Sequence, residues 1–454
     1  MYVLNVKKVR KIDHFGVNLA LFFHFVTFFL QNTCIYQFFF VTLQPIFVTL
    51  IITKHSNMLD PFIQTHKYLV EHVQVPMRRQ LMDEIDWNDR LIAIKGGRGV
   101  GKTDFLLAYA REKAHRLPHE ALGETLYVNF NNFYFSRHSI TEFASEFVKK
   151  GGKTLLLDQV FKYPNWMHEL RVCHDKHKAL HIVFAASPVM DLEGEECKEL
   201  VGILKVYNLR GFSLREYLNL QAHVKLDTYT LDDILQHHEI IAREVLSQVR
   251  PQQYMDAYLH HGYYPSYLEN RNFSEELLRT MNMALEVDVL IIKQIDVPYL
   301  NKIRKLLYLI MENAPYVPNV STLSEQIETS RATTMNYLGY MQRARLINLL
   351  YDEGKSFPSK PSKVYLQNTN LAFMNFARDI TMQDIAETFF YNSIHSNHKI
   401  NSTERNAMFV VDGKHYFDVK DKMPVRTPIR PTAVANIEYG RGNAIPLWLF
   451  GFLY

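Results

Sequence analysis

The chain has 454 residues, 47% of them hydrophobic, which is material for about three domains with buried cores and excludes a disordered chain. Its formal net charge of +4 is small for this length, so bulk electrostatics neither argues for a nucleic-acid partner nor excludes one. Three cysteines, Cys34, Cys173 and Cys197, lie far apart without a C-x-x-C spacing; this supports neither a disulfide framework nor a zinc site and makes a reducing, cytoplasmic compartment the expectation.

Residues 1–57 differ from the rest. No Asp, Glu, Lys or Arg occurs between Asp13 and Lys54, and phenylalanines crowd the segment. One reading is a membrane hairpin within residues 15–52, with Lys7, Lys8, Arg10, Lys11 and Lys54 holding both ends in the cytoplasm. The favoured reading places the true start at Met58, with A/T-rich upstream DNA read through before it, because the first apolar run is short for a bilayer and Pro45 interrupts the second.

Behind the apolar run Leu91-Ile92-Ala93-Ile94 stands Gly96-Gly97-Arg98-Gly99-Val100-Gly101-Lys102-Thr103, followed by Phe105-Leu106-Leu107-Ala108-Tyr109-Ala110. The stretch fits G-x-x-x-x-G-K-[ST] between a predicted strand and a predicted helix, the context of a phosphate-binding loop. Glycines let backbone N–H groups turn inward on phosphate oxygens. Lys102 would bring a positive charge to the β- and γ-phosphates, Thr103 a hydroxyl to a magnesium ion, and the helix N-terminus further attraction. The expected ligands are ATP and Mg2+.

Thr125-Leu126-Tyr127-Val128-Asn129-Phe130 reads as the next strand. Lying between two motifs, it favours the branch of phosphate-loop ATPases that carries an additional strand. The second motif is Lys153-Thr154-Leu155-Leu156-Leu157-Asp158-Gln159, a buried strand ending in an acid that would stand beside the magnesium shell. Cys173, His174 and His177 have no second ligand pair and read as a solvated helix face. A further strand, residues 181–187, ends in Ser187, which would contact the γ-phosphate or merely open a turn before Pro188.

Together the phosphate loop, the run from Leu155 to Trp166, the strand ending in Ser187 and the stretch Arg210 to Leu218 resemble a family of prokaryotic AAA-type ATPases. The closing Ile445 to Tyr454 resembles members from gut-type Bacteroidetes. The resemblance implies an α/β chain: a phosphate-loop NTPase core with a parallel sheet over 58–222, a helical lid over 223–298, a winged-helix-like module over 299–365, and an α+β C-terminal domain related to restriction-endonuclease-like folds over 366–454. It also implies roles for Lys102, Asp158, Gln159 and Ser187 in hydrolysis. Where such ATPases carry a glutamate as general base, this chain has Gln159; an amide orients water but accepts no proton, so binding should outlast turnover. Residues 185–188 read Ala-Ala-Ser-Pro where the family commonly has Thr-Gly-Ser-Ser, removing another polar contact. Arg210 and Arg215 are candidates by position alone for an arginine donated between neighbouring subunits.

Ser321 and Ser330 are read as caps of consecutive short helices, and Leu346 to Leu350 as a wing strand. That pattern offers Arg331, Thr333, Thr334 and Asn336 to DNA, although Glu325 and Glu328 dilute the positive charge; a protein partner or a homo-oligomer is the other use of such a module. Further on, Asp412-Gly413 signals a hairpin. Glu387, Asp418 and Lys420 resemble part of a nuclease set, but Asn406-Ala407-Met408 lacks the remaining acid, so a degenerate site is expected. The expected function is an ATP-binding switch ATPase; the alternatives are a non-hydrolysing nucleotide-sensing scaffold and an ATP-regulated DNA-binding or nuclease protein.

Overall fold

Three uninterrupted apolar runs build the centre of one sheet: Leu91–Lys95 (β1), Thr154–Asp158 (β3) and His181–Ala186 (β4). Their buried positions do not alternate, as expected of strands covered on both faces in a parallel sheet. Thr125–Asn129 (β2) and Lys205–Asn208 (β5) form the edges, in the order β2-β3-β4-β1-β5 with every pairing parallel. The additional strand is thus present, but it is β4 that separates β1 from β3. Residues 125–129 lie at the edge, because chain order does not fix strand order.

These features come from a computed structural model describing residues 58–116, 124–269, 272–374, 380–395 and 397–454. The chain divides into two compact units, Met1–Pro61 and Phe62–Tyr454. Both readings of residues 1–57 lie outside the described residues. Among the described residues, no helix is long and apolar enough to cross a membrane.

The crossover helices Lys102–Arg116, Ile140–Lys149 and Trp166–Lys176 follow β1, β2 and β3. Ser139 and Glu142 close a capping box on the second, whose Ile140, Phe143, Ala144 and Phe147 fall on one stripe and are buried. This arrangement brings the phosphate loop after β1 and the acid ending β3 to the same carboxyl edge, where open α/β sheets bind ligands.

Helices Leu231–Gln248, Gln252–Ala257 and Phe273–Met283 follow, the last running into a π-helical stretch, Ala284–Ile291. Next come Leu300–Asn313, Val320–Gln326 and Arg331–Arg343, then an antiparallel pair, Ile347–Leu350 (β6) and Lys363–Leu366 (β7). Ser330 caps its helix by accepting from the Thr333 amide at 3.0 Å. The expected Ser321 cap is corrected: Asn319 accepts from the Ser321 and Thr322 amides instead, and Ser321 sits inside the first turn.

The last sheet runs β12-β11-β10-β9-β8, built from Ile400–Asn401 (β8), Phe409–Val411 (β9), His415–Lys420 (β10), Thr432–Val434 (β11) and Ala444–Pro446 (β12). Its β9–β10 hairpin turns at Asp412 and Gly413, both at positive φ (52° and 68°), as the Asp-Gly signal requires. Phe390 of helix Met382–Ile394 stacks on Phe409 of β9 and meets Phe417 and Phe450 edge-on or tilted, so the closing aromatics are core.

Candidate functional site

The glycine loop leaves β1 and feeds the helix that begins at Lys102. Gly99 and Gly101 adopt φ of 77° and 88°, left-handed backbone that side chains resist. A Cβ on Gly99 would stand 3.1 Å from Thr280 Cγ2 and 3.2 Å from Tyr264 Cδ1, so the loop is packed directly under the helices that follow the core. Arg79 braces it from another side, donating to the carbonyls of Val100, Arg210 and Gly211 while pairing with buried Glu216 at 3.1 Å.

Lys102 Nζ donates to the carbonyls of Gly96 and Gly97, both at 2.7 Å. Loss of water lowers its ammonium to about 8, against the opposing pull of Asp288 and Asp158 and with Arg98 adding to the fall. Thr103 Oγ1 donates to Asp158 Oδ2 at 2.8 Å, and the Tyr127 hydroxyl donates to the same oxygen at 2.9 Å. Burial and the Asp158 charge raise the Tyr127 phenol well beyond its usual range, so it stays protonated and donates to the carboxylate, while its oxygen accepts from Asn129 Nδ2 at 3.5 Å. A hydroxyl and a carboxylate held edge to edge are the hard oxygen donors that suit Mg2+, so these residues fit the expected metal. Gln159 follows Asp158 in left-handed backbone (φ 56°, ψ 31°) and lines the same cavity, which measures about 960 Å³.

Ser187 is buried at the tip of β4 and donates to Asp288 Oδ1 at 2.8 Å; the Val189 amide reaches its Oγ at 3.5 Å, as in a turn opened by this serine. Arg98 Nε donates to Asp288 Oδ2 at 2.8 Å. Asp288, 1% exposed, was missed from the sequence. Its signal was weak: it is one of two acids, with Glu286, in the otherwise apolar run Ala284–Ile291. Tyr127 was missed too, and within its strand it carried no such signal.

Other expected residues are placed differently. Arg210 donates to the His395 carbonyl at 3.3 Å and lies 5.5 Å from the Tyr454 ring; buried Arg215 donates to the carbonyls of Leu226 and Tyr454, both at 3.3 Å. Both arginines, candidates by position for a neighbouring subunit, are turned into their own chain. Cys173 is buried, Arg90 Nη2 donates to His174 Nε2 at 2.7 Å, and His177 Nε2 lies 3.1 Å from Ser145 Oγ. The expected solvated face is therefore largely engaged in packing and hydrogen bonds. Of the residues offered to DNA, Arg331 and Asn336 are exposed, but Thr334 is 0% exposed and donates to the Ser330 carbonyl at 3.1 Å. Thr334 is removed from that set.

At the nuclease-like position, Glu387 Oε2 accepts from Lys363 Nζ at 2.6 Å and from the Tyr365 hydroxyl at 3.2 Å, while Gln383 Nε2 donates to its other oxygen at 3.0 Å. Asp418 accepts from the Met408 amide at 3.1 Å and faces Arg430 Nε at 3.6 Å. Lys420 is exposed. Among the described residues there is no group of three or more His, Cys, Asp or Glu side chains placed to hold a metal ion.

Residues 88–218, which include the loop, Asp158 and Ser187, match the family described as AAA domain. An uncharacterised protein of Methanocaldococcus jannaschii is 23% identical over 289 residues, 61% of this chain; the match spans 60% of that relative's length. The structure of C. elegans PCH-2 aligns over 64% of this chain and 69% of its own at 12% identity, with a TM-score of 0.21. The AAA domain accounts for the parallel sheet and its loop; the helices and second sheet beyond residue 218 lie outside the matched family.

Proposed function

We propose that this chain is a Mg-ATP-binding switch ATPase with slow or regulated hydrolysis, in which nucleotide state sets the posture of the segments after the AAA domain. The observation that carries this reading is the meeting of Lys102, Thr103 and Asp158 at one cavity wall with Asp288 of the following helices. Lys102, now resting on loop carbonyls, would transfer its three donors to phosphate oxygens. Thr103 and Asp158 would hold Mg2+, which when bound supplies charge neutralisation to the β- and γ-phosphates. Gln159 would orient the attacking water without taking its proton, and Ser187 would place a hydroxyl near the terminal phosphate.

Support for coupling comes from the far side of the loop. Arg345, at φ 60° just beyond helix Arg331–Arg343, has its Cβ 3.5 Å from where a Cβ on Gly97 would lie. Through this proximity a shift of the loop would be passed to residues 299–365. The finer affiliation belongs to the same proposal: a prokaryotic AAA-type ATPase, like Bacteroidetes members, with core 58–222, lid 223–298, winged-helix-like module 299–365 and degenerate restriction-endonuclease-like domain 366–454, working in the cytoplasm. DNA would meet Arg331 and Asn336; a protein partner or a second copy is the alternative occupant.

Gln159 also favours a second reading, a nucleotide-sensing scaffold that does not hydrolyse. An active nuclease is not favoured, because Lys363 and Arg430 already face the acids it would need. The test is ATP turnover by the purified protein, with and without DNA, beside Gln159→Glu. Measurable turnover in the unmodified protein supports the switch; turnover only in Gln159→Glu moves the assignment to the scaffold; no turnover and no nucleotide binding in either rejects both.

A further inference from the structure

The carboxylate of Asp288, carried by a stretch that follows residues 88–218, sits where two elements of that region meet. Arg98 reaches it from the phosphate loop and Ser187 from the tip of β4, each at 2.8 Å to a different oxygen. Because β4 lies between β1 and β3, its tip stands between the loop and Asp158. Asp288 lines the same cavity as Lys102, Thr103, Asp158 and Gln159, and its charge is the strongest opposing influence on the Lys102 ammonium. It is presented by a π-helical stretch, a local widening that recurs at functional sites. The preceding helix, Phe273–Met283, rests on the loop through Thr280.

An anion that engages a loop arginine and the strand-tip serine, within the field of the loop lysine, satisfies the groups a terminal phosphate would seek. Two such anions cannot share that place: a buried carboxylate beside a phosphate is a like-charge pair out of water, where repulsion is strong. A diphosphate lacks the terminal group and makes no such demand. Resting on the nucleotide reading above, we infer that Asp288 discriminates ATP from ADP: it occupies the place of the γ-phosphate, so that ATP, but not ADP, must dislodge it and with it the helix from Phe273 to Ile291. The discrimination then doubles as the signal, since a ligand shifts a conformational equilibrium only through its differential contacts with the two states.

The test compares fluorescent ADP with a fluorescent non-hydrolysable ATP analogue, both with Mg2+, on the unmodified protein, Asp288→Asn and Arg98→Gln. Asp288→Asn is expected to shift the affinity ratio about tenfold or more toward the ATP analogue, by removing the charge that competes with it. Arg98→Gln should shift it the other way, leaving the carboxylate without its cation. Hydrogen exchange supplies a second readout: in the unmodified protein, amides of residues 273–292 should exchange faster with the ATP analogue than with ADP, and in Asp288→Asn they should already exchange fast without nucleotide. An unchanged ratio in both variants, or equal exchange with both nucleotides, overturns the discriminator role while leaving nucleotide binding intact. Absence of binding by either nucleotide to the unmodified protein overturns the nucleotide reading itself and this inference with it.

Discussion

At the carboxyl edge of the β1–β5 sheet, Lys102, Thr103, Asp158 and Gln159 border a cavity of about 960 Å³. Around helix Met382–Ile394 and β10, the central strand of the second sheet, Glu387 is enclosed by Lys363, Tyr365 and Gln383, and Asp418 faces Arg430. Both regions carry motifs of acids and a lysine at suggestive spacing. They differ in what the charges face. In the first, the hydrogen bonds of the lysine among the described residues run to carbonyls of its own loop, contacts that a phosphate can replace; in the second, each acid already has a cation, and a metal would have to displace it. Spacing alone nominates both sites, and the local charge balance separates them.

The largest expected effect sharpens this contrast. Asp158→Asn should lower Mg-dependent ATP turnover at least ~100-fold, in the range of lost electrostatic stabilisation at a reacting phosphate, whereas Asp418→Asn should leave it within about twofold. Steady-state phosphate release measures both; equal losses would erase the distinction.

Glu387→Gln should instead cost stability. It leaves Lys363, about a quarter exposed, opposite a neutral amide, and an expected loss of about 1–3 kcal/mol follows from breaking a largely buried pair while some solvent remains. Urea unfolding checks it, and a loss of divalent-metal binding in this variant would contradict the structural role assigned to the acid.

A smaller effect comes from pH. With burial holding Lys102 at about 8, its ammonium is charged below that pH and neutral above it. If phosphate binding requires the charged form, affinity for Mg-ATP should fall about tenfold between pH 7 and pH 9. Titrations at pH 7, 8 and 9 would show it; a flat profile would mean that the ammonium is not the phosphate's partner. Smallest is the paired change Arg331→Ala with Asn336→Ala, which should weaken DNA binding a few-fold if that helix meets DNA, while Thr334→Ala should act only through stability, since its hydroxyl is buried on Ser330.

What was legible follows from range. The uninterrupted runs Leu91–Lys95, Thr154–Asp158 and His181–Ala186 announce buried strands because burial on both faces suppresses alternation, and the glycine loop announces itself because its backbone needs are local. The order of those strands was not legible: hydrogen bonding between β4 and both β1 and β3 is a tertiary choice. Asp288 lies 190 residues from Arg98 and 101 from Ser187, distances at which no periodicity speaks. The caps were intermediate. Ser330 was found and Asn319 was missed, because Asn and Ser serve equally well as caps and the sequence offered both within three residues.

The account stands on a pocket that takes Mg-ATP through the loop lysine. Isothermal titration of the purified protein with Mg-ATP, beside Lys102→Ala, tests this directly: the account predicts a saturable heat in the unmodified protein that is weakened at least ~100-fold by the substitution. No heat in the unmodified protein, or the same isotherm in both, would contradict it.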